Sequence, residues 1–415
     1  MQKSPSEPIT NQAIFLILGI LLIAAGLRAP ITALGPLLDP IRTDLGLNAG
    51  QAGLLGSLPL FLFAAISPFA GLAGKFGMER TLLAAVLLMG AGITTRSLGF
   101  SSTLFGGTLL LSMGIALANV LLPALIKRDF PQRATLFTTI YITWMTSIGA
   151  AGSGLAVPLA IALAPLLPPI FTGNSSGICW QGSLGIWLLI PLLTLFIWTP
   201  QLRKTRAKSH GRQATAPLKA PCRANVARVV LKSALTWQIT IFMGAQSLCF
   251  YSLSTWLAAI LGSSGYSAEE SGWLLAQYQL VGLASGFIIP FLVSRAKDQR
   301  FIAAGCGLIC TIGPLGLMFL PEYAASWLNL IGLGSGASFI LSIAFISLRS
   351  SDYNQATILS VLVNGGGYAI AATGPMLFGW LHEQTQTWMA PILFTAAVGF
   401  FQTCTGWLAG RNKTI

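Results

Sequence analysis

The sequence predicts an all-α membrane protein of twelve transmembrane helices arranged as two pseudo-symmetric six-helix bundles. Three observations carry that prediction. Hydrophobic residues make up 54% of the 415 and charged residues only 8%, with a mean hydropathy of +0.74. No soluble domain of this length can bury so much apolar surface. Apolar runs recur near 14–38, 49–73, 81–100, 103–126, 135–161, 183–199, 236–261, 272–293, 301–320, 324–347, 356–381 and 389–409, and a helix rising ~1.5 Å per residue crosses a bilayer core in about 20 residues. The second half also echoes the first at an offset of about 220 residues. Gly53 and Leu54 open the second span as Gly272 and Trp273 open the eighth, and Gly114 and Gly332 open matching stretches of the fourth and tenth.

Charge placement sets the expected orientation. With the N-terminus inside, every basic residue except Arg28, Arg42 and Arg96 falls in an inner segment. This positive-inside bias puts both termini in the cytoplasm of a cell that carries the chain in its inner or plasma membrane. The net charge of +13 therefore describes membrane orientation, and a nucleic-acid partner is excluded. Residues 1–199 form the expected N-terminal bundle and 233–415 the C-terminal one. The joining segment 200–232 carries nine Lys and Arg and no acid, which reads as a cytoplasmic linker.

The first span contains Arg28, about 20 Å from the inner end of its run and about 15 Å from the outer. An Arg reaches only about 6 Å, too short to snorkel to either surface. A charge left in lipid there costs several kcal/mol, so Arg28 must face protein, water or an anionic solute. Two readings compete. Pro30 and Pro36 free the carbonyls of Gly26 and Thr32, which could satisfy the guanidinium structurally. A broken helix with a fixed cation equally suits a solute site, and the substrate or gating role is the favoured one.

The second and third spans are joined by a tight basic loop containing Lys75, Gly77 and Arg80. Arg96 lies near the outer end of the third span, where it is expected to snorkel and serve structure. Asn119 precedes Pro123 by one turn in the fourth. Tyr141 and Trp144 lie in the fifth. The following outer loop holds Gly173-Asn174-Ser175-Ser176-Gly177, which matches a nucleophile elbow by chance: no strand precedes it and no histidine accompanies it. Trp180, Trp187 and Trp198 read as interface anchors. The seventh span offers Gln246 and Tyr251, the eighth Gln277 and Tyr278. Asn364 and Tyr368, four apart, share one face of the eleventh.

None of the eleven acids falls mid-span, and His210 and His382 sit in the inner loop and at an outer helix end. A buried proton relay is therefore not expected. The six cysteines suggest neither a disulfide nor a metal site, and no cofactor is expected. The partners are then a small-molecule substrate and the lipid bilayer, with protons as a candidate coupling ion.

The basic loop after the second span resembles the signature of the major facilitator superfamily, with Lys75, Gly77 and Arg80 matching it. Gly74 stands where that signature has its Asp. A more specific likeness lies in Leu27-Arg28-Ala29-Pro30-Ile31-Thr32, in the run Gly114 to Pro131 around Asn119, in Gln246 to Ser252, and in Gly366-Gly367-Tyr368 with Gly374-Pro375. These stretches are similar to the cyanate and 2-nitroimidazole transporter branch. The resemblance implies no enzyme activity, a gating role for Lys75, Gly77 and Arg80, and movement of a compact cyanate- or nitroimidazole-like solute by alternating access. The residues themselves suggest a small, weakly polar, partly aromatic chamber with one fixed positive charge: Arg28, Asn119, Tyr141, Gln246, Tyr251, Asn364 and Tyr368. The alternative is a multidrug-type exporter of small neutral aromatic compounds in which Arg28 is structural.

Overall fold

The computed structural model describes residues 11–66, 77–166, 178–208 and 220–415. Lys75 and the Gly173–Gly177 motif lie outside these. The described chain is helical throughout: α1 (Asn11–Thr32), a 3-10 turn (Gly35–Leu37), α2 (Leu38–Leu45), α3 (Ala49–Ile66), α4 (Met78–Arg96), α5 (Ser101–Asp129), α6 (Ala134–Leu163), α7 (Trp180–Gly185), α8 (Leu189–Lys208), α9 (Ala220–Lys232), α10 (Ala234–Ser263), α11 (Ala268–Arg295), α12 (Arg300–Phe319), α13 (Ala324–Leu348), α14 (Tyr353–Thr385) and α15 (Met389–Ala409). Eleven stretches are long and apolar enough to cross a membrane, and the bent pair α9–α10 supplies the twelfth. Lipid leaves no other choice, because only a helix or a closed barrel satisfies its backbone groups there.

Two segments depart from the sequence reading. The stretch 200–232 is helical at both ends, continuing α8 to Lys208 and forming α9. α9 meets α10 at 67°. Its Val230 is fully buried among Leu235, Ile239, Phe345 and Leu359, while Arg228 and Lys232 stay exposed. A short apolar stripe among many basic residues is thus enough to dock the helix. The tryptophans also differ from their expected role. Trp180 is buried and donates to Asp44 Oδ2 at 2.9 Å. Trp198 is buried and donates to the Glu79 carbonyl at 3.2 Å. Both hold protein to protein, whereas Trp187 is only partly buried.

Within the first bundle α4 packs on α5 and α1 on α6; within the second α10 packs on α14 and α12 on α15. The bundles meet along two seams, α3 against α14 and α6 against α11. The first seam is close enough that a Cβ on Gly53 would lie 2.4 Å from the Pro375 carbonyl oxygen. Small residues permit this approach, the usual device of helix packing in lipid.

Among the described residues the seams are held most tightly at one end. Gly50 N–H donates to Glu383 Oε2 at 3.3 Å across the bundles, and Gln279 Nε2 donates to Ser153 Oγ at 2.8 Å. Toward the other end the same helices lose their cover. In α6, residues 149–150 and 152–154 are buried, but 135–148 are exposed or half-buried except Tyr141. In α11, burial is dense over 271–279 and sparse beyond Leu280, where Phe287 is 80% exposed. Only one stripe of each helix is still covered there, through Tyr141 in α6 and through Ser285 and Ile289 in α11, which leaves a wide exposed face. Among the described residues the bundles hold together at the Glu383 end and open toward the Arg133 and Arg295 end.

Candidate functional site

The base of this opening is where α1 breaks. Pro30 sits inside α1 and Pro36 in the following 3-10 turn, each removing a backbone donor. The Thr32 carbonyl freed by Pro36 accepts from Ser153 Oγ at 3.2 Å, and Thr32 Oγ1 donates to the Gly149 carbonyl at 2.6 Å. The Ser153 hydroxyl and the Gly149 carbonyl of α6 therefore hold the break, and among the described residues the Arg28 guanidinium makes no hydrogen bond to it.

Arg28 is half-buried at this level. Its stem crosses Gly149 so tightly that a Cβ there would lie 2.6 Å from Arg28 Cγ. Among the described residues no carboxylate, carbonyl or hydroxyl hydrogen-bonds the guanidinium. Its Cζ instead lies over the Phe250 ring, 4.9 Å from the centroid. A cation is attracted to the ring face, yet such a contact consumes none of the guanidinium's N–H donors.

Phe250 begins a run of rings. It stacks on Tyr278 at 5.7 Å and 29° and meets Tyr251 edge-on at 5.1 Å. Tyr251 packs on Tyr368 at 6.5 Å, and Tyr368 on Phe63 at 5.5 Å. The structure thus gathers Arg28, Tyr251 and Tyr368 around Phe250, while Tyr141 is buried in the apolar core of the first bundle.

The other candidates are placed differently. Gln246 is buried, donates to Ser335 Oγ at 3.1 Å and accepts from Ser247 Oγ at 3.0 Å, so its amide is spent inside the second bundle. Asn364 donates to the Ser360 carbonyl at 2.9 Å, one turn away on its own helix. Asn119 is exposed, on the face of α5 that carries buried Ser112 and Ala116 a turn or two earlier. Exposure starting there, off the lipid row of Leu109, Met113 and Leu117, fits an opening between helices. Gln277 pairs with Asn329 at 2.8 Å.

At the open end, Gly77 has φ +86° and precedes α4, while Arg80 is exposed. The carboxylate there is Glu79, 2.6 Å from Arg128 of α5. Arg96 departs from its expected snorkelling: it is 1% exposed, and its backbone lies against Gly107, where a Cβ would come within 2.3 Å of Arg96 N.

Sequence reasoning missed Phe250, Phe63 and Gly149. The signal for Gly149 was its small size; Phe250 lay within the Gln246 to Ser252 stretch without being singled out, and nothing distinguished Phe63 from a lipid-facing residue.

Two packed helical bundles that meet at a broken helix carrying a membrane-level cation have the architecture of a membrane transporter. The chain belongs to the Major Facilitator Superfamily, whose family model matches residues 16–375. It is 44% identical over 403 residues to the 2-nitroimidazole transporter of Escherichia coli K12, covering 97% of each chain. It is 27% identical to the cyanate transport protein CynX of the same organism, covering 92% of this chain and 93% of that one. The fold matches a bacterial homologue of the human lysosomal transporter Spinster, solved in an inward-facing, unoccupied conformation, with a TM-score of 0.78, 18% identity and 96% coverage of both chains. These relatives are transporters, and the chain is not an enzyme.

Proposed function

We propose that this transporter moves a small, compact solute that is anionic or electron-rich, of cyanate or nitroimidazole type, by alternating access. The observation that carries the reading is the Arg28 guanidinium at the base of the opening, held by a ring face with its hydrogen-bond donors unspent. A planar fork of this kind suits an anion or an electron-rich oxygen or nitrogen edge. The names of the two relatives, a 2-nitroimidazole and a cyanate transporter, support the same solute class.

In this reading the bundles are residues 1–199 and 233–415, joined by 200–232, and they rock about a site near the midplane. Both termini lie in the cytoplasm of an inner-membrane protein, so the open end faces inward. Arg28, Tyr251, Tyr368 and Asn119 line the path, Tyr141, Gln246 and Asn364 brace its walls, and Lys75, Gly77 and Arg80 belong to the gating loop. A monovalent anion entering against an inside-negative potential costs about 2.3 kcal/mol per 100 mV. The acids of the described chain sit at its two ends, so exchange, facilitated movement or entry of the solute with its own proton fits better than a buried relay.

The test is uptake into proteoliposomes of labelled cyanate and 2-nitroimidazole, with imposed voltage and pH gradients, by the wild type and Arg28→Gln. The variant is expected to insert normally and lose transport; full transport by it refutes the reading. The aromatic wall favours a second reading, export of small neutral aromatics with Arg28 structural. That reading requires rates indifferent to the charge of the solute.

A further inference from the structure

We propose that Phe250 is the specificity-determining residue of the Arg28 site: it holds the guanidinium by its face and offers a stacking surface to a flat, conjugated ring docked on the guanidinium's edge. This rests on Arg28 being the solute-binding cation.

The geometry assigns the role to this ring and not to its neighbours. Phe250 is the ring over which the Arg28 Cζ lies, 4.9 Å from its centroid. It is itself braced by Tyr278, which is 1% exposed and nearly parallel to it, and by Tyr251 edge-on. A ring fixed on two sides and only half-buried has its remaining face toward the cation and part of its surface accessible. Because guanidinium hydrogen bonds radiate in its own plane, the face contact and an edge-on ligand are compatible. A ligand so docked continues that plane beside the aromatic run. A flat ring then gains stacking contact as well as hydrogen bonds, whereas a short linear anion gains the hydrogen bonds alone.

The pair also joins the two bundles, Arg28 from α1 and Phe250 from α10. A solute engaging the Arg28 edge and the Phe250 ring together touches both moving parts, which is what a carrier needs to sense occupancy.

An aromatic contact of this kind is worth roughly a two- to tenfold change in affinity. The experiment measures KM and kcat for 2-nitroimidazole and for cyanate in proteoliposomes with wild type, Phe250→Leu, Phe250→Met, Phe250→Tyr and Arg28→Gln. The two ring-free variants should raise KM for 2-nitroimidazole roughly two- to tenfold more than KM for cyanate, because both solutes share the loosened cation and only the ring loses a stacking surface, and Phe250→Tyr should restore it. Equal effects on both solutes, no effect on either, or failure of Phe250→Tyr to restore would overturn the assignment. Two ring-free replacements of different shape guard against one that misfolds. Arg28→Gln distinguishes the underlying reading: unaffected transport of both solutes there refutes the solute-binding cation itself, whatever the Phe250 variants do.

Discussion

Gln279 Nε2 and Ser153 Oγ, on α11 and α6, lie 2.8 Å apart and both side chains are buried. Ser153 passes the contact on to the Thr32 carbonyl, so one hydroxyl ties both bundles to the break in α1. A net hydrogen bond of this kind contributes ~0.5–1.5 kcal/mol. Ser153→Ala should therefore weaken the Glu383 end and shift the population toward opening there by roughly two- to tenfold. Spin-label distances between α3 and α14 at the Glu383 end measure it; an unchanged distance distribution would count against this clamp.

Gly149 is the platform under the Arg28 stem. Gly149→Ala puts a methyl 2.6 Å from Cγ, near the root of the side chain rather than at its flexible tip. Overpacking of this kind costs about 1–3 kcal/mol, and the guanidinium must move off Phe250. The expected outcome is normal membrane insertion, a lowered melting temperature and loss of most transport. Uptake equal to wild type would mean that the position of Arg28 is not critical.

The Glu79–Arg128 pair ties α4 to α5 at the open end, with Asp129 2.8 Å from the same guanidinium. Glu79 is mostly buried, so Glu79→Gln removes a charge-assisted bond worth ~1.5–3 kcal/mol, discounted because Arg128 is partly exposed. Thermal unfolding in detergent should fall by a few degrees, and less so at high salt. No change would show that Asp129 alone suffices for Arg128.

Arg349 is 2% exposed and donates to the carbonyls of Ala409 at 3.3 Å and Gly410 at 3.1 Å, and to Gln299 Oε1. This fork gathers the start of α12 and the ends of α13 and α15. Arg349→Lys keeps the charge but has one point to offer where three acceptors wait. A loss of stability of about 1–3 kcal/mol is expected, read as increased proteolysis after Arg411; full stability would show that the charge, not the fork, does the holding.

Much of the fold was readable because lipid permits so little else: the spans, their number and their pairing in two halves follow from apolar run length and the positive side. Arg28 stood out for the same reason, since a cation in the middle of such a run must face protein, water or a solute. What was not readable depends on contacts far apart in sequence. Trp180 and Trp198 look like surface anchors until Asp44 and the Glu79 carbonyl, 136 and 119 residues away, are found beneath them. Arg96 looks free to reach water until Gly107 brings α5 against it. Phe250 is one of 23 phenylalanines, and only the fold sets it over a cation. The helix α9 was hidden by its own charges, which outnumber the two valines that dock it.

The seam between α3 and α14 brings main chain against main chain: Gly53 faces the Pro375 carbonyl, and Gly379 faces that of Ala49, where an added Cβ would come within 2.2 Å. Toward this end of the seam the two helices meet by main chain rather than by interlocked side chains. On the alternating-access reading proposed above, so smooth a joint would let one body tilt on the other with little friction, and a single methyl wedged into it would prop the gate ajar.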